Sequence, residues 1–190
     1  MSDGNGPSAE EWQAAGFQGW YFANKDEPIG ESIARMGSLP LDAHPGEAWI
    51  YGYNTDILGA VIEVASGMDL YSFLSQEIFS PLEMNDTHFY LPEDKVSRLA
   101  VVYQPKEGGG IEPIPAKDGM NSQGMYVNGP RVSFSGGAGL VSTADNYARF
   151  LQMTLNGGEL NGERILSRKT IELMTTNHLA DIPFRNGQGF

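Results

Sequence analysis

No cysteine occurs in the 190 residues. That excludes disulfides, thiolate zinc sites and a cysteine nucleophile, and it leaves the redox compartment unread. Basic residues are scarce: 12 Lys and Arg stand against 24 Asp and Glu, a formal net charge of -12. A surface of that sign repels phosphates, so neither nucleic acid nor an anionic membrane is expected as a partner. No apolar run approaches the roughly 18 residues needed to span a bilayer. The opening Met1-Ser2-Asp3-Gly4-Asn5-Gly6-Pro7 lacks the basic and apolar regions of a secretory leader. This tilts the reading toward the cytoplasm without fixing a compartment. Repeats and low-complexity tracts are also lacking. Three chemical signatures are missing as well: Gly-x-Ser-x-Gly, Ser-x-x-Lys and His-Glu-x-x-His. The three histidines (His44, His88, His178) have no ligand spacing. Asp42, His44 and Glu47 share a Pro-Gly loop, where polar residues gather by chance, and no metal or cofactor is expected.

What is present is an ordinary globular composition, 41% apolar and 19% charged. A chain this long buries roughly 70% of its unfolded surface, enough for a core. Short helices are expected over Ala9–Ala15 and Gly30–Met36. A clearer one runs from Asn54 to Ala65, with Ile57, Leu58, Val61 and Ile62 on one apolar face and Ser66-Gly67 as its stop. Asp69 caps the next, whose buried stripe is Leu70, Phe73, Leu74 and Ile78. Thr87 to Leu91 reads as extended. Residues 99–132 form a hairpin and loop insertion: a strand at Ala100–Tyr103, a turn at Lys106–Gly110, a partner at Ile111–Ile114, then a loop from Gly119 to Pro130. A helix opened by Ser142 should bury Tyr147, Phe150, Leu151 and Leu155. A hairpin turns at Asn161-Gly162, and Ser167 caps a last helix through Met174. The final Asn186-Gly187-Gln188-Gly189-Phe190 reads as the beginning of a strand.

Two stretches carry the chemistry. One is Pro45-Gly46-Glu47-Ala48-Trp49-Ile50-Tyr51-Gly52-Tyr53-Asn54-Thr55-Asp56-Ile57-Leu58-Gly59, continued by Ser66-Gly67 and by Ile78-Phe79-Ser80-Pro81-Leu82-Glu83-Met84-Asn85-Asp86-Thr87. The other is Ser135-Gly136-Gly137-Ala138-Gly139-Leu140-Val141-Ser142-Thr143-Ala144-Asp145-Asn146-Tyr147-Ala148-Arg149-Phe150. Taken in order, they resemble the serine hydrolases of the class C β-lactamase, penicillin-binding esterase and D-aminopeptidase group, on the esterase side. That group reads I-F-x-P-L-G-M-x-D-T in the first stretch and G-G-A-G-L-x-S-T-A-x-D-Y-A-R-F in the second. The resemblance covers residues 39–176.

It implies acyl transfer from an ester or amide: a serine in Ser-x-x-Lys attacks the carbonyl, and a lysine and a tyrosine move the proton. Tyr51 takes the tyrosine position. Its pKa, normally about 10, must be lowered by an adjacent cation for it to act as a base. Packing against Trp49 is compatible with that role. Tyr53 stands where the motif often has Asn, and Tyr53, Tyr126 and Phe134 are the candidate substrate-cleft aromatics. The Ser-x-x-Lys belongs upstream of Met1, and the later Lys-x-Gly or His-x-Gly strand belongs downstream of Phe190. The resemblance therefore implies one partial domain over 1–190, the central part of such an enzyme. The fold class expected is α+β: a mostly helical subdomain of the β-lactamase/transpeptidase-like fold, with a small antiparallel region and the main sheet largely missing. Three readings stay open: a hydrolase fragment inactive alone, a non-catalytic binding module, and a hydrolase completed in trans. The helix faces that the sheet would cover should be exposed and apolar, which favours self-association.

Overall fold

The computed structural model describes residues 8–17, 22–114, 124–179 and 182. Among these described residues there are seven α-helices: α1 (Ala9–Ala14), α2 (Ile29–Met36), α3 (Asn54–Ser66), α4 (Leu70–Leu74), α5 (Met125–Asn128), α6 (Ala144–Leu155) and α7 (Arg168–Met174). The only sheets among the described residues are two antiparallel pairs. Strands β1 (Tyr103–Pro105) and β2 (Ile111–Pro113) pair with Gln104 opposite Glu112, and β3 (Glu159–Leu160) pairs with β4 (Glu163–Arg164). Helices thus outweigh strands, as the sequence pattern implied. No single helix among these residues is long and apolar enough to cross a membrane.

Local chemistry explains most boundaries. The Asp69, Thr143 and Ser167 side chains each accept the backbone N–H three residues on, capping α4, α6 and α7. Thr143, not Ser142, is the cap of α6. Helix α3 stops at Gly67, whose φ of 72° lies in the left-handed region that closes helices. Helix α4 widens into a π-turn over Ser75–Phe79 before Pro81. Asn161 and Gly162 both take positive φ, the conformation a two-residue hairpin turn requires. Glu83 also takes positive φ, 55°, where the resembling pattern has Gly. Within the expected loop 119–130, the described part contains α5, anchored by the buried Met125. The terminal reading over 186–190 lies outside the described residues.

Three apolar clusters hold the elements. The first stacks Trp12, Phe17, Phe22, Ile29, Met36 and Tyr53, joining α1, α2 and the start of α3. The second gathers Leu70, Phe89, Tyr90 and Met125. The third packs Phe79, Leu82 and Met84 against Met153 of α6.

Two helices turn a different side inward than their apolar periodicity suggests. On α3 the buried positions are Asp56, Gly59 and Ala60, while Leu58, Val61 and Val64 are exposed, Val64 to 87%. On α6 the buried positions are Asn146 and Met153, while Tyr147, Leu151 and Leu155 face outward. The expected inner face of α6 is corrected accordingly, with Phe150 only half-buried. The physical reason is what lies opposite. Met153 packs on Phe79, Leu82 and Met84, and beside it Asn146 Oδ1 accepts the Asp86 N–H at 2.7 Å, so this side of α6 faces residues 79–87.

Candidate active site

The loop leading into α3 positions the candidate tyrosine. A turn closes at Pro45-Gly46, where the Glu47 N–H donates to the His44 carbonyl at 3.2 Å and Gly46 takes a φ of 87°. The chain then runs through Trp49 to Tyr51 and Tyr53, and the two tyrosines go to opposite environments. Tyr53 is 1% exposed: its ring stacks on Trp12 at 5.7 Å and meets Phe22 edge-on at 5.7 Å. It locks the first turn of α3 into the aromatic cluster and has no surface to offer a substrate. Tyr51 is 46% exposed, its ring tilted against Trp49 with centroids 6.0 Å apart. It is thus half-exposed, on a segment whose next-but-one residue is buried in the aromatic cluster.

A second segment is clamped to this helix by a buried carboxylate. Asp56, in the first turn of α3, is 2% exposed. It accepts a short hydrogen bond from the Ser135 hydroxyl and the Gly137 N–H at 3.1 Å. Ser135 Oγ in turn accepts the Ala138 N–H at 3.1 Å. The glycines make this contact possible. A Cβ on Gly136 would stand 2.1 Å from the Thr55 carbonyl oxygen, and one on Gly137 would stand 2.6 Å from Asp56 Oδ2. Burial pushes the Asp56 carboxyl above its ordinary range, and the bonds from Ser135 and Gly137 partly oppose that shift. The Gly137 and Ala138 N–H groups are therefore spent internally, on Asp56 and Ser135.

The other sequence candidates lie elsewhere. Phe134 is half-buried in the second cluster, stacked on Tyr71 at 5.8 Å and against Phe89 at 5.4 Å. Tyr126 sits half-buried on α5, where its carbonyl accepts the Leu91 N–H at 2.8 Å. Tyr53 and Phe134 belong to different apolar clusters. In the Pro-Gly loop, Asp42 accepts the Ser8 hydroxyl at 2.6 Å, and Glu47 accepts the His44 backbone N–H at 3.1 Å. Sequence reasoning passed over Asp56. The available signal was an acid in the first turn of an otherwise apolar helix, with a Ser-Gly-Gly segment far along the chain to receive it.

Comparison with known proteins fits this arrangement. A family model described as Beta-lactamase matches residues 9–189. The Mycobacterium tuberculosis protein Rv1367c is 33% identical over 176 residues, covering 86% of this chain and 42% of the relative. Esterase EstB of Burkholderia gladioli is 33% identical over 140 residues, 67% of this chain and 34% of the esterase. Among solved structures, unliganded simvastatin synthase (LovD) of Aspergillus terreus superimposes with a TM-score of 0.69 at 24% identity, over 95% of this chain and 41% of that one. The chain thus spans well under half the length of the relatives it matches, and it shares their β-lactamase/transpeptidase-like fold.

Proposed function

The chain belongs to the Beta-lactamase family, and from that premise we propose that it is the Tyr51-bearing part of a serine hydrolase that cleaves carboxylic esters. The observation that carries this reading is the contrast between the two tyrosines. The family position, Tyr51, is 46% exposed, while Tyr53 beside it anchors the segment in the core at 1%. In the complete reaction a serine attacks the ester carbonyl, the alkoxide departs with a proton, and water then releases the acid. Tyr51 serves as the group that takes the proton from the nucleophile and returns it to the leaving oxygen. The esterase named among the relatives supports an ester as substrate.

The 190 residues hold no Ser-x-x-Lys. On this reading the nucleophile and its lysine are not among these residues, and the isolated chain does not turn over esters. Hydrolysis of p-nitrophenyl butyrate by the purified chain, with Tyr51→Phe beside it, tests the proposal. Both should match buffer. Turnover by the chain that disappears in Tyr51→Phe would show a nucleophile among these residues and overturn the division of roles.

A further inference from the structure

A cavity of about 350 Å³ opens where the N-terminus of α6 meets the 3₁₀ turn Glu93–Arg98. It lies apart from the Asp56 clamp, and its walls divide by chemistry. One side is aliphatic: Leu91, Leu99 and Val141. The other carries Asp86, Lys95 and Arg98. Asp86 bridges the two cations, with Lys95 Nζ at 2.8 Å and a bidentate pair of 2.9 Å bonds from Arg98. Lys95 Nζ also donates to His88 Nε2 at 3.3 Å, so that nitrogen is the acceptor and Nδ1 faces the Tyr71 hydroxyl at 2.8 Å. Burial, and the charge of Lys95, hold His88 below its ordinary pKa and keep it neutral near pH 7. Asp94 also acts through its charge on both Arg98 and His88, so Asp86 and Asp94 together face the two cations.

The cations differ in what they have left to give. Lys95 directs its three donors to Asp86, His88 and the Asn85 carbonyl. Arg98 spends two of its five N–H donors on Asp86, and its side chain is half exposed. Asp86 holds the guanidinium plane in place, which pre-organises the remaining edge for a second acceptor. The Ser142 hydroxyl lies on the same cavity wall, bonded to Thr87 Oγ1 at 2.8 Å.

We propose that this cavity is a binding site for a short-chain aliphatic monocarboxylate, its carboxylate on the free edge of Arg98 and its alkyl tail against Leu91, Leu99 and Val141. Inorganic phosphate would leave the aliphatic wall of Leu91, Leu99 and Val141 unfilled. The volume lies at the small end of ligand pockets, which limits the tail to a few carbons. The site does not depend on the esterase reading.

Titration of the purified chain with hexanoate, followed by amide shifts in NMR, tests it. Inorganic phosphate and 1-hexanol serve as parallel probes. Hexanoate should give saturable shifts confined to residues 86–100 and 141–143, and bind about tenfold tighter than either comparison probe. Arg98→Gln should weaken hexanoate about tenfold, the loss of one charge-assisted contact, while Arg98→Lys should fall between the two. Arg98 is on the surface, so both variants should keep the wild-type spectrum elsewhere. Equal binding of 1-hexanol, preference for phosphate, shifts outside the cavity, or insensitivity to Arg98→Gln would each overturn the assignment.

Discussion

Replacing Asp56 by Ala asks whether one buried carboxylate holds residues 135–139 against α3. The side chain is 2% exposed and accepts both the Ser135 hydroxyl and the Gly137 N–H. Truncation strands two donors in a site closed to water. Hydrogen bonds to a charged group contribute about 1.5–3 kcal/mol each. Relief of the burial cost that raises the carboxyl's pKa offsets part of the loss, which places the expected destabilisation near about 3 kcal/mol. For a domain of this size that lowers Tm by about 6–12 °C. Asp56→Asn keeps an acceptor oxygen without the charge and should cost about 1 kcal/mol at neutral pH. The pH dependence has a definite sign. The folded pKa lies above the ordinary 3.8, so the folded state retains a proton that the unfolded chain has released, and the Asp56 contribution falls as pH rises through that range. The deficit of Asp56→Asn relative to wild type should therefore be largest in acid and shrink as pH rises. Urea unfolding read by the fluorescence of the buried Trp12, from pH 3.5 to 7, measures both effects. A loss under about 1 kcal/mol for Asp56→Ala, or an Asn deficit that grows with pH, would refute the clamp.

Two further outcomes follow from local geometry. Glu83 sits at a φ of 55°, a left-handed conformation that costs a non-glycine residue roughly 1–2 kcal/mol. Its exposed ion pair with Arg149, 2.8 Å, returns little. Glu83→Gly should therefore raise the urea midpoint by about 1 kcal/mol of stability at unchanged m, and a lower midpoint would contradict the strain argument. Glu27 accepts two bonds from Arg35 and one from the buried Ser32, and these, Arg35 foremost, lower its pKa from 4.5 to about 2. Its contribution is complete above pH 4.5 and is lost as pH falls toward 2, so Glu27→Gln should flatten the acid limb of the stability curve in that window. An unchanged acid limb would show that another carboxylate governs it.

Local chemistry was legible in the sequence because it needs only near neighbours. The caps at Asp69 and Ser167, the Gly67 stop, the Asn161-Gly162 turn and the order of the two motif stretches all sit within a few residues of what they control. Burial was not legible. Periodicity gave α3 and α6 apolar faces, but which face turns inward depends on what lies opposite. Opposite Asn146 lies the Asp86 N–H, 60 residues away in sequence, and opposite Asp56 lies Ser135, 79 residues away. These two polar bonds form only when distant segments meet, and they mark the sides of α3 and α6 that pack within these residues. Val64 and Leu155 lie on the other sides and are exposed. The same tertiary accounting separated Tyr51 from Tyr53, which composition and spacing treat alike. An aromatic cluster built from α1 and α2 had room for one ring from this segment and took Tyr53.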